Sequence, residues 1–130
     1  MLKRTIWLLV GFIFLAAAAV YWVWHRTPVP ERQPWSVRDG LPSLGRQAMI
    51  GYGCTACHVI PGIRKATGRV GPKLNDIGVQ IYIGGVLPNT PGNMVAWVRN
   101  PLKFSPETAM PDLGVSTREA MNIAAYLYEN

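Results

Sequence analysis

From Thr5 to Trp24 the chain reads TIWLLVGFIFLAAAAVYWVW, about 20 residues without one charge, behind a basic Met1-Leu2-Lys3-Arg4 head and ahead of His25-Arg26. At about 1.5 Å rise per residue such a run would span a hydrocarbon layer of roughly 30 Å. The pattern predicts one N-terminal transmembrane helix, with Lys3 and Arg4 on the cytoplasmic side and Tyr21, Trp22 and Trp24 at the far interface. The basic head and the Ala16–Ala19 tract also resemble a cleaved signal peptide. Val20–Trp24 prolongs the apolar run past the alanines, which favours a retained anchor. The expectation is a single-pass protein of the cytoplasmic (inner) membrane, with the rest of the chain on its periplasmic or outer face.

Beyond the anchor the periodicity changes twice. Thr27 to Pro42 carries Pro28, Pro30, Pro34 and Pro42; proline fixes φ and removes donors, so this stretch reads as an extended tether. From Ser43 helical spacing returns. SLGRQAMIGYG predicts a helix that runs into Cys54, with Ser43 as its N-cap. Residues 59–85 are rich in Gly and Pro and lack a sustained period, so they read as loop, with one helical turn near Leu74–Ile77. Thr90-Pro91 opens a short helix that stops before Pro101. Ser116 and Glu119 have capping-box spacing, and Met121, Ala124, Ala125, Leu127 and Tyr128 form an apolar face behind them. Strand signals are weak. The prediction is an all-α chain in three parts: an anchor over 1–26, a Pro-rich linker over 27–42, and a small domain of short helices and long loops over 43–130.

Composition narrows the functional classes. The 130 residues include 13 Lys and Arg against 7 Asp and Glu, a formal charge of +6, and the pI is about 9.8. The basic residues are scattered, with no run longer than two. That argues against nucleic acid and for a cationic protein-docking surface. A domain this small with so few apolar side chains needs a disulfide, a metal or a cofactor to complete its core.

The candidate chemistry lies in Cys54-Thr55-Ala56-Cys57-His58, which holds both cysteines of the chain. Two thiols three apart on a helical turn can each form a thioether with a vinyl group of haem, and the adjacent imidazole then falls under the iron. A thioredoxin-like pair would need a βαβ context, a structural zinc site a fourth strong ligand, and a plain disulfide would leave His58 idle. The predicted cofactor is one covalently attached haem c with His58 as an iron ligand. For the second axial ligand, Met49, Met94 and Met121 sit in helices where core packing explains them. Met110 differs: in Thr108-Ala109-Met110-Pro111-Asp112 a non-helical loop is steered by proline, so a thioether can project inward. His58 and Met110 together would fill both axial positions, leaving iron that only changes valence.

On these residues, and on Gly71-Pro72-Lys73-Leu74, the Met110-Pro111 loop and the aromatic end of the last helix, the stretch from Ser43 to Asn130 resembles the class I c-type cytochromes. The resemblance implies a small cytochrome c fold around the haem. It implies that the Pro72 carbonyl accepts a hydrogen bond from the axial imidazole, and that Trp97 donates to a haem propionate; for Trp97 a plain core role competes. Tyr82 is either a haem-pocket wall or ordinary packing. The first and last helices would cross where a glycine meets an aromatic, with Tyr126 facing Gly45 and Ile50. A nearer likeness, in GCTACHVIPG, GVLPNTPGNMVAWVRNP and TAMPDLGVS, is to the cytochrome c domains fused to subunit II of haem-copper oxidases and to stand-alone anchored relatives. The copper-binding domain of the fused proteins has no counterpart in this sequence.

The function these readings imply is electron transport rather than enzymatic turnover: single electrons carried along a respiratory chain to a terminal oxidase. The alternatives are a fixed subunit of a quinol-oxidising complex or periplasmic dehydrogenase, and, in another class, a haem peroxidase or gas sensor with a labile Met110. Arg64, Lys65, Arg69, Lys73, Arg99 and Lys103 all lie between the two proposed ligands, where Asp76 and Glu107 are the only acids. Such a field would steer an acidic redox partner.

Overall fold

A computed structural model describes residues 11–22 and 39–130. The chain divides into two units, 1–32 and 33–130, each taken by itself. In the first, residues 11–22 form a helix, α1. Among the described residues no helix is long and apolar enough to cross a membrane. The expected transmembrane helix is therefore corrected, and with it the single-pass membrane location. The remaining residues of the apolar run, and nearly all of the Pro-rich linker, lie outside the described residues.

The second unit follows the order α2 (Pro42–Gly51), a 3₁₀ turn at Cys54–Ala56, a 3₁₀ turn at Ile77–Val79, strands β1 (Tyr82–Ile83) and β2 (Leu87–Pro88), α3 (Pro91–Arg99), a 3₁₀ turn at Pro101–Lys103, and α4 (Thr117–Glu129). The all-α expectation needs a second correction here. β1 and β2 pair antiparallel, with Tyr82 opposite Pro88 and Ile83 opposite Leu87. The reversal between them uses Gly84 and Gly85, both at positive φ (56° and 74°), a conformation glycine adopts without a Cβ penalty. Two residues per strand are too few for an alternating pattern to show in sequence.

The helix ends follow local chemistry. Ser116 Oγ accepts the Glu119 N–H at 3.3 Å while the Glu119 carboxylate accepts the Ser116 N–H at 3.2 Å, the reciprocal capping box the spacing predicted. Thr90 Oγ1 accepts the Asn93 N–H at 3.2 Å and Pro91 fills the first turn of α3. Helix α2 departs from expectation: Ser43 lies inside it, and the N-cap is Leu41, whose own side chain caps nothing. Instead Leu41 donates its N–H to Asn122 Oδ1 of α4 at 2.9 Å, a partner 81 residues away.

The core gathers along α4, whose Ala120 and the whole run Asn122–Leu127 are buried. Met49 of α2, Met94, Val95, Trp97 and Val98 of α3, and Ile60, Ile63, Ile77 and Ile83 from the loops complete it. Helices α2 and α4 meet at Gly45, where an added Cβ would lie 2.0 Å from the Asn122 carbonyl oxygen. Only hydrogen fits between the two backbones. The contact opposite Gly45 is thus the backbone at Asn122, one turn before the expected Tyr126, and Ile50 is exposed.

Candidate functional site

The Cys54 turn begins where α2 ends. Gly53 adopts the left-handed conformation (φ 74°), breaking the helix. Cys57 and His58 then both send their N–H groups to the Cys54 carbonyl, at 3.2 and 3.0 Å. This tight turn holds Cys54, Cys57 and His58 together on one short piece of backbone. Both thiols are free and half-buried, and burial pushes the Cys54 thiol above its ordinary range. A protonated thiol is the opposite of the activated thiolate a redox pair requires.

The loop after the turn folds back over it. Gly71 donates its N–H to the Cys57 carbonyl at 2.9 Å and Leu74 to the Val59 carbonyl at 2.9 Å, while Val59 and Thr67 form an isolated bridge. This return brings Pro72 to His58: Nδ1 of the imidazole lies 2.7 Å from the Pro72 carbonyl oxygen. Pro72 offers only an acceptor there, so Nδ1 carries the proton and Nε2 is the basic nitrogen. Gly71 lies against the ring itself, since an added Cβ would sit 2.3 Å from Cε1.

The other predicted site residues come from more distant segments. Trp97 is buried in α3, its six-membered ring laid on Gly84. Its indole N–H makes no hydrogen bond among the described residues. Met110 lies in a non-helical stretch, half-buried against the core, with its N–H donated to Thr108 Oγ1 at 3.2 Å. Met49 and Met94 are buried core residues. Tyr82 is exposed on β1.

Sequence reasoning missed three tethers that place the site's loops on α4. Tyr52, two residues before Cys54, donates to Glu119 Oε2 at 2.9 Å. Tyr126 Oη donates to the Pro61 carbonyl in the loop after His58. Tyr128 Oη donates to Asn89 Oδ1, and the Asn89 amide donates to the Ile77 and Gln80 carbonyls at 2.6 and 2.8 Å. The sequence reading puts Tyr128 on an apolar face and Tyr126 at the helix crossing, and assigns neither hydroxyl a partner. Their hydroxyls reach outward from the packed helix.

Among the described residues no group of three or more His, Cys, Asp and Glu side chains converges as a metal site. The arrangement is thus two unspent thiols and one oriented imidazole, with no fourth ligand for a tetrahedral ion.

No family model matches the chain. Over 90 residues, 68% of its length, it is 32% identical to cytochrome c oxidase subunit 2 of Alkalihalophilus pseudofirmus. The chain spans about a quarter of that relative, 25% of its length, and what it shares with an oxidase subunit is this partial, distant similarity.

Proposed function

We propose that the unit from residue 43 onward is a monohaem c-type electron carrier of a respiratory chain, with haem c joined to Cys54 and Cys57. His58 and Met110 would hold its iron, and Trp97 would offer its indole N–H to a propionate. The observation that carries this reading is the state of His58: Nδ1 engaged by the Pro72 carbonyl at 2.7 Å, Nε2 without a protein partner among the described residues, and two free thiols in the same turn. Similarity to an oxidase subunit supports a respiratory electron-transfer role and a respiratory oxidase as redox partner.

The donor set fits the group. Haem c, when bound, supplies a one-electron ferric/ferrous couple. The protein's part is to hold and shield it. The Pro72 carbonyl fixes the imidazole tautomer and leaves the Nε2 lone pair to bind the iron. Cys54, Leu74, Leu87, Phe104 and Met110 border the core half-buried, apolar surface of the kind a flat apolar macrocycle would cover. Met110, set between Thr108 and Pro111, would join His58 in holding the iron and keep small oxidants from it.

Expression of the full chain with a cytochrome c maturation system tests this. Covalent haem that survives denaturing electrophoresis, a weak red absorption band in the ferric protein and poor carbon monoxide binding when reduced are expected. Met110→Ala should abolish the band and admit carbon monoxide. Absence of covalent haem would sink the reading, and strong carbon monoxide binding by the unmutated protein would favour a peroxidase or gas sensor.

A further inference from the structure

Gly71 is not required by its backbone. Its φ lies outside the left-handed region occupied by Gly53, Gly62, Gly84, Gly85 and Gly114, so an alanine could adopt the same main-chain conformation. The first atoms a side chain would meet belong to the imidazole of His58. A Cβ at residue 71 would lie 2.3 Å from Cε1, 2.6 Å from Nδ1 and 2.8 Å from Nε2. All three contacts fall on ring atoms, and they include both nitrogens.

The same two residues act on the ring from different directions. The Pro72 carbonyl receives Nδ1 at 2.7 Å, which fixes the tautomer and one point of the ring edge. A single hydrogen bond leaves the ring free to pivot about that point. The Gly71 main chain, held by its 2.9 Å bond to the Cys57 carbonyl, lies so close to the ring that a Cβ there would overlap it. The anchoring carbonyl belongs to the residue before His58. Wall and imidazole are thus fixed to the same turn.

We infer that Gly71 is a positioning residue that sets the rotational orientation of the His58 imidazole, with its missing side chain as the functional feature. The consequence for electron transfer rests on the function proposed above. The ring contact itself does not. An alanine at 71 would push the ring aside, stretch the Nδ1–H···O bond to Pro72, and leave Nε2 a poorer electron donor. A poorer donor stabilises the ferric state less, so the reduction potential rises.

The test uses the full chain as isolated from the maturation system, in its reduced diamagnetic state. In the unmutated protein a strong nuclear Overhauser effect between Gly71 Hα and the His58 ring proton on Cε1 is expected, with Nδ1 protonated. Gly71→Ala should speed exchange of that Nδ1 proton at least tenfold and raise the potential. Gly51→Ala controls for the added methyl, because a Cβ there meets nothing within 4 Å beyond its chain neighbours and its own helix backbone. A folded Gly71→Ala protein with unchanged exchange and potential would overturn the inference. So would absence of the Overhauser contact in the unmutated protein, which decides the matter even where the alanine variant does not fold. The two readings fail separately: covalent haem without the ring contact overturns only the role of Gly71, and the ring contact without covalent haem overturns only the proposed function.

Discussion

Tyr52 Oη donates a 2.9 Å hydrogen bond to Glu119 Oε2, joining the residue two places before Cys54 to the third residue of α4. The same carboxylate oxygen takes the Ser116 hydroxyl at 2.5 Å. One side chain therefore both caps α4 and ties the cysteine turn to it. The Ser116 hydroxyl first, and the Tyr52 hydroxyl second, hold the Glu119 carboxyl below its ordinary 4.5.

That depression gives stability a direction with pH. The folded chain prefers the ionised carboxylate more than the unfolded chain does, so the contribution is complete above the ordinary carboxylate range. It is lost as pH falls through the lower folded value. Glu119→Gln is expected to flatten the loss of stability below about pH 4.5, measured by denaturant unfolding at stepped pH. Ser116→Ala, which removes the cap hydroxyl, should cost about 1 kcal/mol at neutral pH.

At the other end of the scale, burial pushes the Tyr128 hydroxyl up to about 12, and the Glu119 hydrogen bond with burial raises Tyr52. Both groups favour the protonated form when folded. The stability they contribute is present below their ordinary value of 10.0 and fades as pH climbs through the folded values. Ultraviolet titration should show phenolate absorbance appearing late for these two tyrosines. Tyr128→Phe should weaken the alkaline dependence of unfolding.

At the crossing of α2 and α4, Gly45→Ala would place a Cβ 2.0 Å from the Asn122 carbonyl oxygen. Backbone on both sides leaves nothing flexible to yield, so the helices must separate. The expected cost is about 3 kcal/mol, read as a lower midpoint in denaturant with an unchanged slope. Gly51→Ala, with open space around it, should leave the midpoint unchanged or slightly raised.

Asn89 joins the Ile77–Gln80 turn to Tyr128 of α4. Asn89→Ala removes two donated bonds at 2.6 and 2.8 Å and strands the Tyr128 hydroxyl. A loss of about 2 kcal/mol is expected. Native-state hydrogen exchange checks the location, because the gain in exchange should concentrate at Val79 and Gln80, whose N–H groups bond to Asp76 and Ile77.

Arg64, Lys65, Arg69, Lys73, Arg99 and Lys103 are all exposed. If they steer an acidic redox partner, oxidation of the reduced protein by ferricyanide should slow as ionic strength rises, and oxidation by a cationic cobalt complex should accelerate. Rates that ignore salt with both reagents would remove the steering role.

Several features could be read from the chain because their causes are local. The capping box at Ser116 and Glu119, the Thr90-Pro91 opening of α3 and its stop before Pro101 each depend on residues within one turn. The cysteine turn is equally local: five consecutive residues carry two thiols and an imidazole, and their spacing alone limits what they can hold. The start of α2 was misread because its N-cap contact comes from Asn122 of another helix. β1 and β2 went unread because four paired residues leave no periodic trace.

The sequence by itself determined which side chains are available and in what order: two cysteines, one adjacent histidine, a Gly-Pro pair fourteen residues on, a methionine in a proline-bounded loop. Only the tertiary structure decided what those parts do to each other. The return of the 59–74 loop sets the Pro72 carbonyl on Nδ1 and the Gly71 main chain against the ring. Gly45 lets α4 come close enough to receive Tyr52. Among the described residues no helix is long and apolar enough to cross a membrane, where hydropathy predicts a full span. Propensity and capping act through neighbours in sequence, whereas ring orientation, helix approach and loop anchoring depend on contacts between residues far apart along the chain.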